Sequence, residues 1–157
     1  VKLRQVDLAY IAGFFDGEGT VVISRRKGYV RVEVAVSQNT RTVLDLHTRM
    51  FGGHVYAYAP KKRPRAIIYQ WKVYGEAATE FLQIIEPYLL VKKVEAQEGI
   101  AIWLDRKNTS LVDEILAIRK KRKEDRLQWL NPSEPSLPVE TLSTEPLGLP
   151  QESLSDS

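Results

Sequence analysis

Between Tyr29 and Ser37, Val30, Val32, Val34 and Val36 alternate with Arg31, Glu33, Ala35 and Ser37. A strand points successive side chains to opposite faces, so this run must bury one face and wet the other. The run from Thr20 to Arg26 joins it through Lys27-Gly28, which reads as a tight hairpin turn. Two further runs, His54 to Ala59 and Ala66 to Tyr74, flank the basic loop Pro60-Lys61-Lys62-Arg63-Pro64-Arg65. Leu8, Ile11, Ala12 and Phe15 predict a helix from about Leu8 to Asp16, capped by Asp7 and ended by Gly17 and Gly19. Helices are also expected over Thr40 to Phe51, stopped by Gly52-Gly53, and over Gly75 to Ile85, broken by Pro87. Two final ones run over Val91 to Asp105 and Val112 to Trp129. The order α-β-β-α-β-β-α-α-α predicts an α+β fold: one four-stranded antiparallel sheet with helices on one face and the other face open.

On the last strand, alternation separates Ile67, Tyr69, Trp71 and Val73 from Ile68, Gln70, Lys72 and Tyr74. The second set, joined by Arg31, Glu33 and Ser37, places charge, amide and aromatic groups on the open side. An antiparallel ribbon of this kind can enter a major groove, where Arg, Lys and Gln meet the edges of bases. Arg25, Arg26, Lys61, Lys62, Arg63 and Arg65 would add phosphate contacts, which position a protein without specifying sequence. A solvated sheet face fits these residues equally well.

Charge sharpens that choice. The chain carries 23 Lys+Arg and 20 Asp+Glu, a formal net charge of +3. Residues 131–157 hold Glu134, Glu140, Glu145, Glu152 and Asp156 and neither Lys nor Arg. Residues 1–130 therefore carry 23 − 15 = +8, a balance that suits a polyanion partner. Proline also concentrates after residue 130, at Pro132, Pro135, Pro138, Pro146 and Pro150, a spacing no helix can run through. The chain thus divides into a domain over 1–130 and a Pro-rich acidic tail over 131–157, expected as an extended arm lying across its own body or a partner subunit, away from the duplex-binding face. With no cysteine and only His47 and His54, disulfides, thiolate chemistry and Cys-ligated zinc are excluded, and any metal must be held mainly by oxygen, as magnesium is. No apolar run approaches the roughly 18 residues of a membrane span, and no signal-peptide core follows Val1, so a soluble intracellular protein without a membrane partner is expected.

The segment Ile11-Ala12-Gly13-Phe14-Phe15-Asp16-Gly17-Glu18-Gly19 ends a helix with two carboxylates, where the macrodipole is already negative. A divalent cation held by Glu18, with orphan carbonyls such as that of Gly17, would resolve this placement. Ala9, Ala12 and Gly13 form a small-residue patch that would let a second copy of the helix approach closely. A two-fold dimer would then bring two Glu18 residues to its axis. An ordinary buried helix with an acidic, glycine-rich turn is the simpler alternative.

Ile11 to Gly19 resembles the LAGLIDADG motif of homing endonucleases, and the strand end Val36-Ser37-Gln38-Asn39, the segment Glu86-Pro87-Tyr88-Leu89-Leu90-Val91-Lys92-Lys93 and the predicted element order resemble those of members of that family. The resemblance covers roughly residues 5 to 105 and is to single-motif members. It implies a homodimeric, intron-encoded, Mg2+-dependent endonuclease that cuts both strands of a long pseudo-palindromic DNA site, with Mn2+ substituting and Ca2+ supporting binding without cleavage. By position, Glu18 matches the metal-binding acid and Gly17 would offer its carbonyl. Asp16 matches the first acid, supporting the helix end and contributing to the metal. Gln38 matches a residue that orders water, Lys92 the basic group near the scissile phosphate, and Arg41 a second basic group in an alignment that also admits Thr42. The second acid is usually aspartate; Glu18 is one methylene longer and still a hard oxygen ligand. An intron RNA-binding maturase and a non-catalytic DNA-binding protein of the same fold are the alternatives. The cations Arg119-Lys120-Lys121-Arg122-Lys123 and Arg126 would point around most of a helix and read as a solvated surface, with phosphate contacts flanking the main site as the alternative.

Overall fold

The computed structural model describes residues 4–26, 28–61 and 66–130. Helix α1 (Gln5–Glu18) leads into strands β1 (Gly19–Arg26) and β2 (Tyr29–Gln38), and helix α2 (Thr42–Phe51) into β3 (His54–Tyr58) and β4 (Ile68–Tyr74). Helices α3 (Gly75–Ile85), α4 (Lys93–Leu104) and α5 (Thr109–Leu130) follow, with a 3-10 turn at Glu86–Tyr88 where Pro87 ends α3. The α+β fold is the one expected from the sequence. All four strands form one antiparallel sheet in the order β1-β2-β4-β3, so the two hairpins join through β2 and β4.

Register explains the two faces. Val21 pairs with Val34, Val34 with Val73, and Val36 with Trp71, placing one apolar row after another beneath the helices. Ile11, Phe15, Phe81, Leu82 and Ile85 close over these rows, all essentially inaccessible. Trp71 and Phe81 lie 5.0 Å apart, and the Trp71 indole N–H donates to the Gly52 carbonyl at 2.8 Å, so the largest buried ring has its polar atom satisfied. Gly52 and Gly53, at φ 69° and 81°, turn the chain from α2 into β3 in a conformation that favours glycine.

Helix α1 departs from expectation at both ends. It begins at Gln5 after Arg4, and Asp7 lies in its first turn, donated two bonds of 2.7 Å by the Arg4 guanidinium, rather than capping it. At the other end it runs through Gly17 to Glu18, because the Gly19 N–H still closes onto the Phe15 carbonyl. Helix α5 starts at Thr109, a turn earlier than the apolar spacing suggests: Asn108 accepts the Leu111 N–H on its side chain and the Val112 N–H on its carbonyl.

Candidate active site and nucleic-acid face

The outer sheet face is built from four strands. The pairings Ala35–Lys72–His54 and Ser37–Gln70–Tyr56 define rows across it, flanked by Glu33–Tyr74 and Ile68–Tyr58. Ion pairs and hydrogen bonds hold these side chains in place. Glu33 accepts from Lys72 at 2.9 Å and from Arg31 at 3.1 Å, while Arg31 lies over the Tyr74 ring at 4.5 Å. The Gln70 amide donates to Ser37 Oγ at 2.8 Å. The expected set Arg31, Glu33, Ser37, Ile68, Gln70, Lys72 and Tyr74 therefore shares one face, to which β3 adds the exposed Tyr56 and Tyr58. The short alternation in His54–Tyr58 is the signal that could have identified those two.

Arg25 does not belong to that face. It pairs with Val30 on the helix side of the sheet and its guanidinium meets Asp113 of α5, so it fastens that helix rather than facing a duplex. Arg26 ends β1 opposite Tyr29. Lys61 is exposed, and Lys62, Arg63 and Arg65 lie outside the described residues.

The two acids of α1 have separate surroundings. The Asp16 carboxylate turns toward the Leu90–Lys92 loop, accepting the Leu90 N–H on Oδ2 at 2.8 Å and the Lys92 N–H on Oδ1 at 2.9 Å. Burial pushes its pKa up, but the N–H donors of Leu90, Lys92 and Val91 and the Lys92 charge outweigh this and hold it below the usual carboxylate value. Asp16 thus anchors the loop to the end of α1. Lys92 completes the junction: its ammonium donates to the Asp16 carbonyl, placing a cation at the negative end of α1.

Glu18 is exposed, and among the described residues no hydrogen bond or ion pair engages its carboxylate. Its carboxylate and the Gly17 carbonyl are hard oxygens that fit a divalent cation. Among the described residues no group of three His, Asp or Glu side chains is clustered to hold a metal. Gln38 extends β2 beyond the Gly19–Val36 pair, at the same end of the sheet as the α1 terminus, with its side-chain oxygen accepting the Asn39 N–H. Arg41 pairs with Asp45 at 3.0 Å and lies 5.8 Å from the Tyr69 ring centroid.

The small-residue patch is divided as well. Ala12 is fully buried in the core with Ile11 and Phe15, whereas Ala9 and Gly13 are exposed, in line with Val6, Tyr10 and Gly17. A Cβ at Gly13 or Gly17 would meet nothing within 4 Å, but one at Gly19 would collide with the Phe15 ring. Gly19 is required by the chain's own packing; Gly13 and Gly17 are not.

A family model described as a LAGLIDADG-like domain matches residues 5–86, just over half of the chain. No curated protein matches the sequence. Among solved structures, the homing endonuclease I-CvuI in complex with its target is 26% identical, with a TM-score of 0.54 over 71% of this chain and 80% of that one. The archaeal intron-encoded homing endonuclease I-Vdi141I, complexed with DNA, shares the fold at 19% identity, with a TM-score of 0.52 over 71% of this chain and 83% of that one. The LAGLIDADG meganuclease I-AabMI, bound to uncleaved DNA, has a TM-score of 0.53 at 21% identity; the match covers 69% of this chain and 40% of that longer one. With its single motif at Ile11–Gly19, a matching sheet topology and the family match over residues 5–86, the chain belongs to the LAGLIDADG homing endonuclease family.

Proposed function

We propose that two copies of this chain pair through the outer stripe of α1 and cleave both strands of a long pseudo-palindromic DNA site by metal-dependent phosphodiester hydrolysis, as an intron-encoded endonuclease. The observation that carries the reading is Glu18, an exposed carboxylate without a partner among the described residues, at the end of a helix whose outer face holds Gly13 and Gly17 with open space beside them. Glycine inside a helix costs about 1 kcal/mol relative to alanine, a cost the isolated chain does not offset. Close approach by a second α1 offsets it and brings a second Glu18 to complete the ligand set.

Glu18 and Gly17 would hold the cation, Mg2+ in the working enzyme, with Mn2+ as a substitute. Bound there, a divalent cation supplies Lewis-acid charge to water and to a phosphate oxygen. Lys92 places positive charge at the same helix end, where negative charge develops on an attacked phosphate. The Gln38 amide, its oxygen occupied by Asn39, is left with N–H donors to orient water. Asp16 is a positioning residue that acts through Lys92. Arg41 stands at the start of α2 as a second basic group. Arg31, Ser37, Gln70 and Lys72 read bases from the open face, while Arg26, Lys61, Lys62, Arg63 and Arg65 hold phosphates. I-CvuI has been captured on DNA with Ca2+ and, uncleaved, with Mg2+, in keeping with divalent metal as the partner of this fold. The accessible Glu18 favours the nuclease over the maturase and the non-catalytic readings.

The test incubates the chain with a duplex carrying its uninterrupted insertion site. Double-strand cleavage with Mg2+, binding without cleavage with Ca2+, neither cleavage nor metal-stimulated binding with chelator, and a light-scattering mass of two chains per duplex are expected. Cleavage in chelator, or one chain per duplex, would overturn the proposal.

A further inference from the structure

The last turns of α5 leave the body. Arg119 and Arg122 are clasped by Glu98 of α4, at 2.7 and 2.8 Å, but every described side chain from Lys123 to Trp129 is exposed, with Leu127 at 51% and Trp129 at 82%. A groove of about 420 Å³ runs between this helix and the body, floored by Ile23 and Leu116. Arg119, Lys120, Arg122, Lys123 and Arg126 line it against the single carboxylate of Glu95. Among the described residues neither Lys123 nor Arg126 has an ion-pair partner. The groove abuts β1 through Ile23, which pairs with Val32 beneath the helices, so it opens behind the sheet and not on its outer face.

We propose that this groove is occupied by the chain's own residues 131–157, and that the acidic tail thereby shields a second cationic surface from nucleic acid. Three features select this occupant. The tail leaves from the end of α5 itself, so no long loop has to be closed to reach the groove. It carries five acids and no Lys or Arg, against a groove in which Arg119 and Arg122 are held by Glu98 and Lys120 meets Glu124, while Lys123 and Arg126 have no ion-pair partner among the described residues. Its prolines keep the backbone from coiling into a helix, so it can lie along α5 and set Leu137, Val139 and Leu142 against an apolar floor. The reach is sufficient. Arg119 stands 11 residues before Leu130, about 17 Å back along the helix at 1.5 Å per residue. About six extended residues cover that span, so Glu134 and Glu140 can reach Arg126, Lys123 and Lys120. A groove left empty would recruit duplex of any sequence, since phosphate contacts carry no base information. Filling it leaves duplex binding to the outer sheet face.

The test is zero-length carbodiimide cross-linking of the full chain at low salt, read by peptide mass spectrometry on an equal mixture of 14N- and 15N-labelled protein. Cross-links from Lys120 and Lys123 to Glu134 and Glu140, within one isotope label, are expected. Those made by Lys123 should vanish in Lys123→Glu/Arg126→Glu, whose exposed positions leave the melting temperature unchanged. Adding Glu134→Lys/Glu140→Lys to that background should restore cross-linking between the same pairs of positions, with amine and carboxylate exchanged. A full chain with all five tail acids neutralised should bind a random-sequence 30-bp duplex roughly tenfold more tightly at low salt. Cross-links of mixed label, cross-links centred on Lys72 of the sheet face, or unchanged duplex affinity after neutralisation would overturn the proposal. So would a random duplex that already protects Lys123 of the unaltered chain from acetylation.

Discussion

Asp16 and Glu18 stand two residues apart on one helix, and the last turn of α1 sends them into different regions. The inner side is a closed junction: Asp16 receives backbone N–H groups from the Leu90–Lys92 loop, Lys92 returns a bond to the Asp16 carbonyl, and Gly19 lets the chain turn against Phe15. On the outer side, Glu18 is exposed beside Gly13 and Gly17, with nothing near where a side chain on either glycine would stand. Two residues on a helix amount to roughly 200° of rotation, which is enough to make one acid a structural fastener and leave the other for chemistry.

Substitutions can break that contrast, and on stability the largest effect belongs to the inner side. Gly19→Ala forces a methyl into the Phe15 ring and carbonyl and should cost about 3 kcal/mol by denaturant unfolding, as overpacked cores do. Asp16→Ala removes the carboxylate that accepts the Leu90 and Lys92 N–H groups, leaving them to water, and should cost about 1 kcal/mol, with the Leu90–Lys92 amides losing protection in hydrogen exchange. Gly13→Ala on the outer side should have the opposite sign, stabilising the isolated chain by up to about 1 kcal/mol while weakening association in sedimentation by at least tenfold.

The smallest effect is a pH dependence set within the core. His47 is buried against Phe14, Trp71 and Phe81, with Nδ1 donating to the Val43 carbonyl at 2.8 Å and Nε2 unpartnered among the described residues. Burial holds its pKa below 6.5, and the Val43 bond only partly opposes this. The unfolded chain therefore takes up the proton first, so stability present above pH 6.5 is lost as pH falls through the depressed folded value. Asp16, also depressed, contributes stability present above its ordinary 3.8 and lost at still lower pH. The melting temperature should decline below pH 6.5, and His47→Leu should remove that first decline while leaving the more acidic one.

Period-two alternation made the two sheet faces legible, and it also explains where reading by adjacency failed. Arg25-Arg26 looks like a basic pair, yet consecutive strand residues face opposite ways, and Arg25 went to Asp113. Ala12 looks like a neighbour of Gly13 but lies on the Ile11–Phe15 side of the helix. The strand order β1-β2-β4-β3 was not legible, because it depends on which hairpin edges pair. Nor was the Asp16 junction: its partners lie 74 and 76 residues along the chain, and no local pattern announces them.

The division of labour between the two acids stands or falls on Glu18→Gln, assayed for DNA cleavage with Mg2+ at protein concentrations where DNA binding in Ca2+ is saturated. A side chain that is exposed and has no partner among the described residues should change little else, so the melting temperature and Ca2+-supported binding should match the unaltered chain, while cleavage falls by about a thousandfold or more, some 4 kcal/mol of transition-state stabilisation. Cleavage at the unaltered rate would contradict the assignment of Glu18.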